Sequence, residues 1–153
     1  MIEMTIYKEP RGDAYEALLR ALLPFSRRFS LTVQADMGVE CSEGCVALLA
    51  RLSALGAEQV QRSDWPGTAL GSRTAAVWTC DISEESLDEL LVVDGLYEWI
   101  MPDYPEDLAF YRQNGSVVLG SIAHEQEGFL ELSKEELEAL ARSWPLSMYT
   151  QRR

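Results

Sequence analysis

The sequence has few of the residues on which most reactive or membrane-bound sites depend. It contains one histidine, His124, and three cysteines among 153 residues. No apolar run approaches the roughly 18 residues that a membrane-spanning helix needs, so we expect no membrane span. The first ten residues lack the basic start and apolar core of a signal peptide, which predicts a cytoplasmic protein. In that compartment Cys41, Cys45 and Cys80 are expected to be free thiols.

Basic residues are also scarce, above all in the second half of the chain. Thirteen Lys and Arg residues stand against 25 Asp and Glu residues, which gives a formal net charge of −12. Residues 81–107 include ten acids and no Lys or Arg. A nucleic-acid backbone needs a basic surface, so nucleic-acid binding is excluded. The charge suits a basic protein partner or a cation, and it equally suits a solvated face that keeps the protein soluble.

The apolar patterns predict an α+β fold, and a chain of this length typically forms a single domain. Alternating or β-branched segments indicate strands at 2–6, 31–35, 58–62, 75–80, 96–101, 108–112, 117–123 and 129–132. About four helices are predicted to begin at the capping residues Asp13, Ser42, Ser83 and Ser133. We expect a mainly antiparallel sheet covered by these helices, with some parallel pairing allowed in the first half.

A β-hairpin is the clearest local prediction. Asn114-Gly115 lies between the apolar arms 108–112 and 117–123. Asn-Gly typically supplies the two positive φ angles of a type I′ turn. Such a turn fixes the register of the two arms, so that alternate side chains can be assigned to faces of the hairpin.

This register creates a candidate site at the base of the hairpin. It pairs Tyr111 with Val118 and places Asp107 and His124 on one face as diagonal neighbours, roughly 7–8 Å apart between Cα atoms. Pro105 lacks the donor of a ladder, so the pairing is expected to fray near Asp107. Asp107 could then orient His124 as a general base, or His124 could anchor a ligand. The alternative is a structural histidine that hydrogen bonds to the 105–107 turn.

The residues in and around this corner form the candidate ligand- or partner-binding set. They are His124, Glu125, Asp107, Glu106, Tyr111 and Trp65. His124 and Asp107 are also the candidates for catalysis, but a nucleophile is missing because Ser121 is predicted to lie on the opposite face.

Metal binding is not favoured by the sequence. Cys41, Cys45, Cys80 and His124 could supply four zinc ligands, yet the two close cysteines straddle the start of a helix and no second close pair exists. The acids at 94–107 lack the spacing and the glycine of a calcium loop. We therefore expect neither a metal nor a cofactor.

Three short motifs resemble a family of small bacterial proteins. They are W-P-G-T at 65–68, P-E-D-L-A-F-Y-R at 105–112 and S-I-A-H-E at 121–125. The resemblance implies no catalytic role for any residue. In size and acidity the chain is also similar to immunity-type proteins that neutralise toxins, which implies a protein partner.

Together these observations predict a non-enzymatic acidic interaction domain that binds a basic protein partner. The alternative is a small hydrolase or a small-ligand-binding protein with its pocket around His124.

Overall fold

The computed structural model describes residues 1–34 and 38–153 and has an α+β fold built on one large sheet. The strands are β1 (Ile2–Ile6), β2 (Arg28–Val33), β3 (Glu58–Arg62), β4 (Asp64–Trp65), β5 (Thr68–Ala69), β6 (Ala75–Asp81), β7 (Glu106–Tyr111), β8 (Val117–Ile122), β9 (Glu127–Leu132) and β10 (Thr150–Arg152). The helices are α1 (Asp13–Leu22), α2 (Glu43–Ala54), α3 (Glu84–Leu90), α4 (Lys134–Ser143) and α5 (Leu146–Tyr149). Within the described ranges, no helix combines the length and apolarity needed to cross a membrane.

Eight strands form the main sheet in the order β10-β1-β9-β8-β7-β2-β6-β3, and β4 pairs with β5 in a separate hairpin. Every strand pair is antiparallel. The α+β class and the mainly antiparallel sheet are therefore confirmed, and the parallel pairing that was allowed in the first half does not occur between the described strands.

The core lies between the helices and one face of the sheet. Phe29, Phe110, Leu119, Leu130 and Met4 are successive register partners across five adjacent strands, so their side chains form one row. All five are buried, and they share one apolar cluster with side chains from α1 to α4. Removal of this apolar surface from water is the main force that holds the helices on the sheet.

Serine caps begin three of the helices. Ser42 accepts a hydrogen bond from the amide of Cys45 at the start of α2. Ser83 and Ser133 each form a capping box at the start of α3 and α4. The first helix differs, because Gly12 occupies its N-cap position and Asp13 is its first residue.

The β4–β5 hairpin covers part of the other face of the sheet. Trp65 is buried and packs against Ala75 and Val77 of β6. Gly67 adopts a φ of 87°, and a Cβ atom there would lie 2.8 Å from Ile122. A glycine is thus required at this turn by its backbone angle and by the close approach of β8.

The turn between β7 and β8 differs from the predicted type I′ turn. Only Gly115 has a positive φ, of 87°, and its amide donates to the carbonyl of Arg112 across 2.9 Å. This is a type I turn followed by a left-handed glycine. The longer loop shifts the register, so that Tyr111 faces Val117 and not Val118.

The predicted strand at 96–101 is wrong. Leu96–Glu98 forms a short 3₁₀ helix, and Leu96 and Trp99 are both buried. The two apolar residues are three positions apart, a spacing that places side chains on one side of a 3₁₀ turn. The segment therefore buries its apolar residues without joining the sheet.

Candidate functional site

A β-bulge at the start of β7 brings two neighbouring carboxylates together. Thr32 faces Glu106 and Ser30 faces Ala109, so β7 has one residue more than β2 between these pairs. Asp107 lies in the bulge with a φ of 62°. In a regular strand the side chains of Glu106 and Asp107 would point to opposite faces, and a bulge can redirect one of them.

His124 completes this group. One donor atom from each of Glu106, Asp107 and His124 lies within 4.8 Å of the others. We call these three residues the carboxylate–histidine cluster. The sequence placed Asp107 and His124 side by side through a regular hairpin register, whereas the structure brings them together through the bulge and a short 3₁₀ helix, Ala123–Glu125.

Asp107 is fixed by contacts with three separate segments. Its Oδ2 accepts a hydrogen bond from Trp65 Nε1 at 2.8 Å, and its Oδ1 accepts one from the amide of Ala123 at 2.9 Å. Its own amide donates to the carbonyl of Trp99. The residue is only 1% exposed. Because these contacts fix its position, Asp107 can hold a positive φ although it is not a glycine.

Glu106 and His124 occupy different environments. Glu106 is buried, and its Oε1 accepts a hydrogen bond from Gln34 Nε2 at 2.9 Å. The His124 side chain is 52% exposed, and its Nε2 lies 3.9 Å from Glu125 Oε1. The cluster therefore has a buried acidic floor and a histidine that faces solvent.

The two buried carboxylates are short of positive charge. Burial raises the pKa of Glu106, and repulsion from Asp107 raises it further, against the Gln34 hydrogen bond. Burial likewise raises the pKa of Asp107, although the bonds from Trp65 and Ala123 oppose this. The ion pairs found among the described residues involve other carboxylates.

Thr32 adds an unsatisfied polar group beside Glu106. Thr32 is 0% exposed, and its Oγ1 has no hydrogen-bond partner in residues 1–34 and 38–153. As the register partner of Glu106, it projects from the same face of the sheet. Buried hydroxyls are nearly always paired, so this one is available to bond a further group beside Glu106. The alternating polar residues Ser30, Thr32 and Gln34 were the sequence signal for this neighbourhood, and it was missed.

Tyr111 and Trp65 line a cleft next to the cluster. The Tyr111 hydroxyl shares a hydrogen bond with Ser30 Oγ at 2.8 Å, and burial raises its pKa. The cleft has a volume of about 450 Å³ and is also lined by Arg28 and Arg62. The predicted binding residues thus divide between the carboxylate–histidine cluster and this cleft. Trp65 contacts both, because it lines the cleft and bonds to Asp107, whereas His124 does not line the cleft.

Ser121, which the sequence predicted to lie away from His124, is committed to a backbone hydrogen bond. The Ser121 hydroxyl is buried and donates to the carbonyl of Leu108 at 2.8 Å. A nucleophile for a Ser–His–Asp arrangement would therefore have to come from elsewhere.

The prediction of free thiols is wrong for two of the three cysteines. Cys41 and Cys45 form a disulfide with a Cα–Cα distance of 5.5 Å, while Cys80 is free and buried. Four residues across the start of a helix bring two cysteines within bonding range. The disulfide removes both sulfurs from the four-ligand zinc set considered from the sequence, and from any role as reactive thiolates.

Comparison of the chain with protein-family models, curated proteins and solved structures finds no match. Its function must therefore be argued from its own surface and side chains.

Proposed function

We propose that this protein is a non-enzymatic interaction domain that binds a basic protein partner, in the manner suggested by its likeness to immunity-type proteins. The observation that carries the proposal is the convergence of acidic side chains from separate chain segments at one end of the sheet. We call this surface the acidic end, and its residues are Glu9, Glu98, Glu125 and Glu127; the buried carboxylates of Glu106 and Asp107 lie beneath it.

Tyr97 joins these segments. Its amide donates to Glu9 Oε2 at 2.7 Å. Burial, followed by the carboxylates of Glu9 and Glu127, raises the pKa of Tyr97 to about 12. The acids on either side of Tyr97 are therefore close enough to act on the same group. Glu125 also acts on Asp107 and raises its pKa, which connects this surface to the carboxylate–histidine cluster.

Positive charge at the acidic end comes from Arg11, which pairs with Glu9 and Glu98. Glu125 and Glu127 are exposed, and neither pairs with a Lys or Arg among the residues that the structure describes. Exposed charges of one sign attract an oppositely charged protein and raise its rate of association. The expected partner therefore presents Lys and Arg residues, and its binding weakens as salt is added.

Two charge-reversed proteins test this proposal. Glu125→Lys with Glu127→Lys changes the acidic end, and Glu58→Lys with Glu138→Lys changes exposed acids elsewhere. Both double substitutions raise the formal net charge from −12 to −8. Each protein is immobilised and exposed to host-cell extract at low salt, and the retained proteins are eluted with NaCl and identified by mass spectrometry.

The proposal expects the unmodified protein and the Glu58/Glu138 control to retain the same basic protein, and the Glu125/Glu127 variant to lose it. An equal loss of the basic protein from both variants would show that net charge alone is responsible, and full retention by both would show that the acidic end does not bind it. Retention of no basic protein by the unmodified chain would contradict the proposal directly.

A second candidate function is the binding of a small anionic ligand in the cleft beside Trp65. The cleft volume of about 450 Å³ falls in the range of roughly 300–1,000 Å³ for small-molecule sites. Trp65 and Tyr111 offer aromatic surface and Arg28 offers positive charge, whereas Arg62 is paired with Asp64 in the same cleft. A panel of aromatic carboxylates, screened by thermal shift, tests this function. A true ligand stabilises an Arg51→Ala control but not an Arg28→Ala variant.

A further inference from the structure

The donor set of the carboxylate–histidine cluster matches that of a metal site. Two carboxylates and one imidazole present one atom each within 4.8 Å of one another. Metal–ligand bonds of about 2.0–2.2 Å place three equally spaced donor atoms at most about 3.8 Å apart around one ion, and about 3.4 Å apart in a tetrahedral site. Donor atoms at the 4.8 Å limit would have to approach by about 1 Å to bind one ion, and the half-exposed His124 has more freedom to move than the two buried carboxylates.

We propose that Glu106, Asp107 and His124 bind a single divalent transition-metal ion of the Zn²⁺ or Mn²⁺ type. This site is separate from the surface that would bind a basic protein through Glu125 and Glu127, and it does not depend on that function.

Charge balance is the first argument for an ion. Glu106 and Asp107 are 7% and 1% exposed and are adjacent in the chain. Buried charges in proteins are paired or coordinate metals. Within the described residues neither carboxylate forms an ion pair with a Lys or Arg. A divalent cation between them would supply the missing positive charge.

The Thr32 hydroxyl is the second and independent argument. It is fully buried, lies on the same face as Glu106 and makes no hydrogen bond with another described residue. It belongs to a different strand and carries no charge, so its lack of a partner is not a consequence of acid clustering. A metal-bound water is the kind of group that would satisfy a hydroxyl in this position.

The surroundings of the two carboxylates also resemble the outer shell of a metal site. Gln34 donates to Glu106, while Trp65 and the amide of Ala123 donate to Asp107. Each bonded oxygen keeps a second lone pair, and hydrogen bonds of this kind orient ligands in known metal sites. The floor is thus held in place before an ion arrives.

The ligand types select the class of ion. Imidazole favours zinc, iron, copper and nickel, whereas carboxylates also suit manganese. Calcium and magnesium take oxygen ligands and gain little from His124. Three protein ligands would leave the coordination sphere open for water.

The experiment uses the untagged, full-length protein with its disulfide intact, after dialysis against EDTA and then against chelator-free buffer. Isothermal titration with ZnCl₂ or MnCl₂ measures stoichiometry and affinity. The variants are His124→Ala, at an exposed position, and Glu106→Gln, which keeps the side-chain shape. Glu125→Gln is the matched control, because it removes one adjacent carboxylate charge that the proposal does not use. Circular dichroism establishes that each variant is folded.

We expect one equivalent of Zn²⁺ or Mn²⁺ to bind the unmodified protein and the Glu125→Gln control with similar affinity. Binding should weaken by about tenfold or more in His124→Ala and in Glu106→Gln. Electron paramagnetic resonance of bound Mn²⁺ should report an imidazole nitrogen that His124→Ala removes.

Three results would overturn the site. One is the absence of stoichiometric binding at millimolar Zn²⁺ and Mn²⁺. Another is an equal loss of affinity in Glu125→Gln and His124→Ala, which would indicate surface electrostatics. The last is tight Ca²⁺ or Mg²⁺ binding that is unaffected by His124→Ala. Since no protein partner is present in this assay, its result is independent of the test of partner binding.

Discussion

Trp65 Nε1 donates a hydrogen bond to Asp107 Oδ2 across 2.8 Å, although 42 residues separate them in the chain. The bond connects the β4–β5 hairpin to the bulge of β7. One end of this contact belongs to the carboxylate–histidine cluster, and the other lines the cleft of Tyr111 and Arg28. Both candidate sites therefore depend on the same buried interaction.

Replacement of Trp65 by Phe tests this dependence. Phenylalanine keeps most of the apolar contact with Ala75 and Val77 but removes the donor to the buried Asp107. An unsatisfied buried acceptor costs about 1–3 kcal/mol, so the free energy of unfolding in urea should fall by about that amount. Trp78→Phe is the control, since the Trp78 indole makes no hydrogen bond in the described chain. Equal losses in the two variants would assign the effect to ring size alone.

Arg112 and Glu136 form the most buried ion pair among the described residues. Arg112 Nη2 donates to Glu136 Oε1 at 2.6 Å and Nε donates to Oε2 at 3.0 Å. The Arg112 hydrogen bonds lower the pKa of Glu136. Because the folded protein then binds this proton less readily than the unfolded chain, the pair stabilises the fold above the usual glutamate pKa. That stability is lost as the pH falls through the lowered pKa.

Replacement of Glu136 by Gln isolates this effect. Glutamine can still accept from the amide of Ser133 and keep the capping box of α4. At neutral pH we expect a loss of about 1.5–3 kcal/mol in the free energy of unfolding. The gap between the two proteins should narrow as the pH falls through the lowered pKa of Glu136, below which both are uncharged at this position. Urea unfolding over this pH range measures it, and Glu135→Gln should leave the pH profile unchanged.

Replacement by alanine should change the melting temperature in opposite directions at two glycines, Gly120 and Gly44. A Cβ atom at Gly120 would overlap the ring of Phe129, its register partner on β9. Overpacking of this kind costs about 1–3 kcal/mol. At Gly44, in the first turn of α2, a Cβ atom would meet only Ser42 Oγ at 3.8 Å. Alanine is the better helix former by up to about 1 kcal/mol, so Gly44→Ala should raise the melting temperature where Gly120→Ala lowers it.

Local patterns predicted most of the longer elements but not the short ones, the segment at 96–101 or the site. The serine caps at Ser42, Ser83 and Ser133, the alternation of β1 and the turn glycine of the β7–β8 hairpin act over four or five residues, so a sequence reports them directly. The α+β class follows from the order of these elements. The turn type was wrong because two loops with the same Asn-Gly pair differ by one residue in length.

The bulge at Asp107 has no local cause that a sequence could reveal. Its positive φ is held by Trp65 and Ala123, 42 and 16 residues away. Thr32 and Gln34 are also far from the cluster in sequence. They reach it only through the pairing of β2 with β7, which the sequence pattern does not reveal. The motifs at 65–68, 105–112 and 121–125 did direct attention to three segments that meet at Asp107, although they gave no geometry.

The disulfide between Cys41 and Cys45 can be tested directly by counting free thiols. Only Cys80 should be free, and it is 2% exposed, so a thiol reagent should titrate almost no thiol in the folded, unreduced protein. One thiol should appear in denaturant, and all three after reduction. Closure of so short a loop is worth about 2 kcal/mol in the chain-entropy treatment. Dithiothreitol should therefore lower the melting temperature of the protein, and a Cys41→Ser/Cys45→Ser variant should start lower and no longer respond to it. Three reactive thiols in unreduced denatured protein would instead mean that the two cysteines remain unpaired, as a reducing compartment would keep them.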